Sequence, residues 1–160
     1  ASGESGNRVI KLIWLIRETN KNVELIDELL SKSLTLSIKA RSGDINATER
    51  AVLNTYYDMY KASIDNICAQ FRFDGEAILN TCPYYDLPFN GRHLFIAPLT
   101  TAALGIENTN VNSQGDAISA IAALSDAQQI VGSALASNYV ILRRLSIYKN
   151  LADLGFVPKL

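Results

Sequence analysis

The chain has 160 residues, of which 48% are hydrophobic and 19% are charged. This length and balance are those of one domain with a sizeable core, and they exclude an intrinsically disordered chain. The formal net charge of −1 excludes a globally basic surface for nucleic acid. The most hydrophobic run, from Leu12 to Ile16, is far shorter than the about 20 residues that a membrane-spanning helix needs.

The first predicted element is a long helix from about residue 8 to residue 41. Its apolar residues recur in steps of three, four and seven, at Leu12, Ile16, Val23, Ile26, Leu30 and Leu34. This spacing places them along one face of an α-helix. Gly43 lies just beyond the last periodic residue, where a left-handed glycine commonly ends a helix.

The second predicted helix begins at the sequence NATE, residues 46–49. Asn46 can cap the first turn while Glu49, three residues later, reaches back to the capping amide. The apolar seam that follows alternates steps of four and three, at Leu53, Tyr57, Tyr60, Ile64, Ile67 and Phe71. An aromatic stripe with this spacing indicates a packed core face and not a cofactor site.

We predict a structural corner where the second helix ends, formed by Phe71, Phe73, Asp74 and Gly75. Both phenylalanines are expected to be buried, and Gly75 can adopt a turn conformation that a Cβ would resist. Asp74 is expected to hydrogen-bond the local backbone. A first strand should then begin at residues 77–79.

A hairpin and a third long helix complete the predicted elements. The turn pair Asn90-Gly91, beside the short apolar run at residues 94–96, predicts a small β-hairpin region. Ser113 is a suitable cap for a helix over about residues 117–151. The fold class is therefore mainly α: an elongated antiparallel bundle of three long helices, with the hairpin region between the second and third.

The sequence carries no recognisable catalytic or metal-binding arrangement. His93 is the single histidine, and no cysteine or carboxylate lies at ligand spacing around it. Cys68 and Cys82 are interpreted as two unpaired structural thiols. No glycine-rich phosphate loop is present. We expect neither enzymatic activity nor a cofactor.

The segment SIKARSGDINATERAVLNTYYDMYKASIDNICAQFRFDGEAIL (residues 37–79) resembles the N-terminal conserved region of bacterial flagellins. The family pattern continues from an ERAALQ helix start to an FNG corner, in which Asp74 here replaces the asparagine. The matching residues are Ala40, Gly43, Asn46, Glu49, Arg50, Ala51, Leu53, Ile64, Asp65, Ile67, Phe73, Gly75 and Leu79.

The segment TTAALGIENTNVNSQGDAISAIAALSDAQQIVGSALASNYVILRRL (residues 100–145) resembles the flagellin C-terminal conserved region. The likeness is carried by residues 104–106, Val111, Ala117, Ala120, Ile121, Ala127, Val131, Arg144 and Leu145. Together the two likenesses imply one flagellin-like core domain over residues 1–160. Its parts would be an N-terminal conserved part at 8–79, the hairpin region at 80–99 and a C-terminal conserved part at 100–160.

The chain also differs from the flagellin pattern at several places, and each difference leads to an expectation. No counterparts of the family's terminal polymerisation helices or variable outer domains are recognised in residues 1–160, so we expect this chain alone to be a monomer. The family's RELAVQ stretch is replaced by residues 34–39, with Leu34 in place of the arginine. Because this stretch faces a vertebrate Toll-like receptor in many flagellins, we expect weak or absent recognition. A possible receptor-facing or subunit-contact surface comprises Leu34, Leu36, Ile38 and Glu49.

The resemblance implies a structural subunit of the bacterial flagellar filament that acts in motility by self-assembly. Its partners would be other flagellin subunits and the flagellar export and cap machinery, with no nucleic acid and no membrane. It would be extracellular, exported without a cleaved secretory signal. The sequence leaves two alternatives open. FNGRHLF (residues 89–95) superficially matches a string of the hook-filament junction protein, and the helical periodicity would equally suit an unrelated secreted helical-bundle adaptor.

Overall fold

The computed structural model describes residues 2–89 and 91–158. Four helices and two strands follow one another along the chain: α1 (Ser2–Ala40), α2 (Ala47–Gln70), α3 (Ile78–Thr81), β1 (Tyr84–Asp86), β2 (His93–Phe95) and α4 (Gln114–Asp153). The mainly helical class with a small antiparallel hairpin is thus confirmed. The prediction of three long helices omitted α3, which has only four residues.

The long helix α1 runs through the middle of the bundle and packs on both α2 and α4. Its predicted stripe is buried from Leu12 to Leu30, while Leu34 is only partly buried against the same core. Leu15 is also fully buried. Because apolar side chains face two neighbours, the buried face of α1 is wider than a single stripe.

The turn between α1 and α2 is fixed by three side chains near the start of α2. Asn46 and Glu49 form the predicted capping box: Asn46 Oδ1 accepts from the Glu49 amide at 2.8 Å, and Glu49 Oε2 accepts from the Asn46 amide at 2.8 Å. Arg50 donates to the carbonyls of Ala40 at 2.9 Å and Ser42 at 2.7 Å. These bonds satisfy backbone groups that a helix end otherwise leaves unpaired, so both helices end at a defined angle.

The segment from residue 101 to residue 111 is held along α2, and we call it the strap. Asp65 accepts from the amide and the hydroxyl of Thr101, both at 2.8 Å. Lys61 donates to two strap carbonyls, Tyr57 bonds Thr109, and Asn54 accepts from the Val111 amide. The strap in turn buries three apolar side chains in the core: Leu104, Ile106 and Val111.

The longest helix, α4, lies antiparallel to α1. Ser113 caps it as predicted, accepting from the Asp116 amide at 3.0 Å. The antiparallel arrangement follows from two bonds between the helices, Asn138 to Asn20 at 3.0 Å and Gln128 to Ser31 at 3.2 Å. At about 1.5 Å per residue, a helix of this length extends for about 60 Å.

The hairpin packs on the side of this helix pair. Tyr84, Tyr85 and Asp86 stand opposite Phe95, Leu94 and His93. The predicted strand at residues 77–79 is wrong: Ile78 and Leu79 are fully buried at the start of α3. Gly91 has a φ of +60°, as the predicted turn requires, whereas Asn90 lies outside the described residues.

Candidate assembly surface

The corner after α2 is a two-residue turn closed by a pair of backbone hydrogen bonds. Phe73 and Glu76 exchange amide-to-carbonyl bonds, both of 3.0 Å. Asp74 and Gly75 between them have φ angles of +49° and +79°. Positive φ at both central residues is typical of a type I′ turn, for which Asp-Gly is a favoured pair. The glycine and the aspartate are thus explained by backbone geometry.

The two phenylalanines of the corner differ in burial. Phe73 is buried, with its ring centroid 5.9 Å from that of Trp14 and 5.8 Å from that of Tyr85. Phe71 is only partly buried, because it lies at the C-cap, where the chain leaves the helix. The Asp74 carboxylate pairs with Lys11 at 3.0 Å, so the structure gives it a partner on α1 where local backbone bonding was expected. The corner therefore anchors α2 to α1.

The four residues of the predicted contact surface do not form one patch. Leu34 and Leu36 are partly buried against the core, and Ile38 is exposed. Leu34 and Ile38 share a side of α1 because they are four residues apart, whereas Leu36 points to another side. Glu49 is exposed, but its carboxylate belongs to the capping box. Any contact through these residues stays a prediction.

An open groove runs between α1 and α4 and was not predicted. Its volume is about 670 Å³, and it extends along α1 from Ile10 to Glu24. Trp14, half exposed, stands between this groove and a second one of about 560 Å³ beside Phe73. Ile10 lines both grooves and is also half exposed. The periodicity of the sequence could have identified both residues as apolar positions outside the core, since they lie on the side of α1 away from the predicted stripe.

Polar side chains are buried where α1 meets α4, and one of them, Asn20, also lines this groove. Asn20 and Asn138 are both buried and bonded to each other. Among the described residues, the side-chain nitrogen Nδ2 of Asn20 has no hydrogen-bond partner, and neither has the Thr19 hydroxyl. The bond between Asn20 and Asn138 joins α1 to α4 inside the core.

A second exposed apolar stripe lies on α2. Val52, Tyr56 and Met59 are spaced by four and three residues and are about half exposed. This spacing aligns them on one side of the helix, away from the core-facing Tyr57, Ile64 and Cys68. The predicted seam was therefore right for the inner side of α2, but α2 has an apolar outer side as well.

The outward side of α4 is the third such surface. No charged residue occurs between Ala127 and Leu142, although several positions in that run are exposed. Val140 and Ile147 are each about half exposed, and Leu154 is more so. Exposed sides of helices normally carry charged side chains. The missing charges are visible in the sequence, but only the structure tells which side of α4 is uncovered.

The titratable groups with shifted pKa values are explained by burial and by bonds within the fold. Burial, and secondly the nearby Asp65 carboxylate, raise the pKa of the Cys68 thiol to about 12, so this thiol is inert at neutral pH. Burial also raises the pKa of Tyr57. The hydrogen bond that Tyr139 donates to Glu24 raises the pKa of its hydroxyl. Cys82 is exposed, and both cysteines are unpaired.

His93 forms an ion pair when protonated, because its Nδ1 lies 2.7 Å from the Asp86 carboxylate across the hairpin. In the part of the chain that the structure describes, no group of three or more histidine, cysteine or acidic side chains could hold a metal ion. Within the same residues, no helix is both long and apolar enough to span a membrane.

Comparison with known proteins gives one kind of match. No protein-family model matches the chain, and no curated protein sequence matches it significantly. Among solved structures, the crystal structure of Bacillus cereus flagellin matches with a TM-score of 0.80 and 23% sequence identity. The match covers 91% of this chain and 88% of the flagellin chain. The resemblance to flagellins carried by the sequence motifs is thus confirmed as a likeness of fold.

Proposed function

We propose that this chain is the rod-like core of a flagellar filament subunit, a flagellin or flagellin-like protein that acts in bacterial motility by self-assembly. The fold is that of a flagellin, but at this level of identity fold alone does not carry function. Residues 1–160 would act as one core domain with the three parts expected from the sequence. Its site of action would be outside the cell, after passage through the flagellar export and cap machinery.

The observation that carries the proposal is a pair of unlike apolar patches at different levels of the rod. Ile10 and Trp14 lie close to the hairpin and the corner, whereas Val52 and Met59 lie in the first half of α2. Because α2 runs back along α1 from the turn, the two patches are about 30 Å apart along the rod, at 1.5 Å per residue. A contact between two different patches joins copies head to tail, and it generates an open helical polymer when the rotation between copies does not close into a ring.

No catalysis enters this function. The chemistry would consist of burying these exposed side chains between neighbouring subunits, which is favourable by about 25 cal/mol for each Å² of apolar surface removed from water. The titratable groups described above are tied to burial and to bonds within the fold.

The proposal is tested by adding one charge to each patch in the bacterium that makes the protein. Ile10→Lys and Met59→Lys should shorten or abolish filaments seen by electron microscopy and reduce spreading in soft agar, because a lysine would be buried without a partner. Ala69→Lys is the matched control, since Ala69 is an exposed position on another side of α2. Thermal unfolding of the purified variants should be unchanged.

Two results would count against the proposal. Filaments that are unaffected by deletion of the gene would show that the protein is not a filament subunit. Normal filaments from both lysine variants would leave a subunit role possible but remove the two patches as its contacts.

A further inference from the structure

The outward side of α4 is one continuous exposed stripe, bordered on one flank by the hairpin, whose Phe95 and Ala97 line a groove with Gln129 and Ser133. Its positions recur every three or four residues from Ile118 to Leu154, a length of about 54 Å. In the N-terminal half the stripe consists of Ala122, Ser125, Gln129 and Ser133. In the C-terminal half it consists of Val140, Arg143, Ile147 and Leu151, with Ala136 between the halves.

The two halves differ in side-chain size, and this difference indicates what can cover them. Ala122, Ser125 and Ser133 leave a shallow surface in the first half, on either side of the larger Gln129, with Ile118 at its end. All four side chains of the second half are larger than these, and three of them are apolar. Val140 and Ile147 are 51% and 50% exposed. A second helix fits this surface best if it offers large side chains to the first half and small ones to the second, since close packing is what stabilises such contacts.

The same helix turned end for end has that arrangement. We propose that α4 packs antiparallel against α4 of a second copy of this chain, about a two-fold axis near Ala136. Ser125 then faces Ile147 of the second copy and Ser133 faces Val140, so a small side chain meets a large one in both. Gln129 faces Arg143, and Ile118 meets Leu154 at each end of the contact. Each contact occurs twice, because the same patch is used by both copies.

The charges flanking the stripe agree with this orientation. Asp126 and Arg144 lie on the same flank of α4 and are both exposed, and neither has an ion-pair partner among the described residues. They lie nine residues before and nine residues after position 135, so an antiparallel partner brings Asp126 beside Arg144 of the other copy. Antiparallel helix dipoles are also favourable neighbours.

A parallel pair would have the opposite properties. It would place large residues against large ones at one end and small against small at the other, leaving a gap. It would also bring Asp126 beside Asp126 and Arg144 beside Arg144, and like charges in an interface are unfavourable. Size and charge therefore select the same orientation independently.

This inference goes beyond the proposed function and does not rest on it. A two-fold pair is closed and cannot extend into a polymer, so it would be a state of the unassembled chain. It departs from the monomer expected from the sequence resemblance. The contact uses neither Ile10 nor Met59, so either proposal can fail while the other holds.

Sedimentation equilibrium of the purified chain at low salt is the first test. The wild-type chain should show twice its mass of 17.5 kDa at micromolar concentrations. Ala136→Glu places two carboxylates at the axis and should weaken the pair by about tenfold or more. Ala69→Glu is the matched control, because it makes the same chemical change at an exposed position of α2, away from α4, and should leave the pair intact. A monomeric wild-type chain, or an equal loss in both variants, would refute the pair.

The second test determines the orientation. Asp126→Arg and Arg144→Asp should each weaken the pair, because each replaces two attractive contacts with two repulsive ones. The double variant should restore the wild-type affinity, since the exchanged charges attract again across an antiparallel interface. In a parallel pair the double variant would remain as repulsive as the single ones, and that result would overturn the proposed arrangement.

Discussion

On one side of α2 polar residues are bonded to the rest of the chain, whereas on one side of α4 apolar residues are left exposed. On α2, Asn54, Tyr57, Lys61 and Asp65 are polar, yet each is bonded to the strap. On α4, the outward side is largely apolar or small, yet it is exposed along its whole length. On these two sides, the polar residues form bonds within the chain and the apolar ones face outward.

The comparison shows that the motif residues of this chain maintain its architecture. Glu49 and Arg50 fix the turn between α1 and α2, Asp65 holds the strap, and Phe73 fills the corner. The same residues carry the resemblance to flagellins. Because these residues hold the fold together, a chain that shares them also shares the fold. Of the residues that carry the resemblance, only Arg144 belongs to the proposed α4 contact.

The largest expected effect lies at the corner. Phe73→Ala should lower the free energy of unfolding by about 3–5 kcal/mol, because the side chain is buried between Trp14 and Tyr85. Phe95→Ala is the matched control: that ring is 65% exposed, and its loss should matter by at most about 1 kcal/mol. Urea unfolding followed by circular dichroism measures both values. A loss below about 1 kcal/mol for Phe73→Ala would mean that the corner does not anchor α2.

The strap should show the next largest effect. Asp65→Ala removes the acceptor for both the amide and the hydroxyl of the buried Thr101 and should be destabilising by about 1.5–3 kcal/mol. Asn66→Ala changes the neighbouring exposed residue and should stay within about 0.5 kcal/mol of wild type. Equal unfolding midpoints for the two variants in urea would show that the strap bonds contribute nothing to stability, and the contrast with α4 would then disappear.

The helices and their caps were predictable because each is encoded locally. Apolar periodicity determined α1, α2 and α4, and the caps at Asn46 and Ser113 depend on side chains within three residues of the amides that they bond. The strap was not predictable, since it has no period and its bonds reach residues about 40 to 60 positions away. The same limit explains α3, where two buried apolar residues suit a strand or a helix turn equally.

The candidate surfaces were predictable only in part, for a related reason. The sequence shows that α4 has no charge from Ala127 to Leu142, but a helix side without charges can be buried or exposed. Which side is covered depends on where α1 and the hairpin pack, and periodicity in one helix does not contain that information. The contact residues predicted from the resemblance were taken from family position and not from exposure, so Leu34 and Leu36 proved to be partly buried.

The smallest expected effect tests the α4 side of the comparison. Val140→Thr should change the free energy of unfolding of the unpaired chain by no more than about 0.5 kcal/mol, because the side chain is exposed and contributes little to the fold. Val131→Thr makes the same chemical change at a fully buried position of the same helix and should be destabilising by about 1–3 kcal/mol, since it buries a hydroxyl. Thermal unfolding at a protein concentration low enough to keep the chain unpaired gives both values. If Val140→Thr were as destabilising as Val131→Thr, the outward side of α4 would be covered within the chain, and it could not serve as a surface for a second copy.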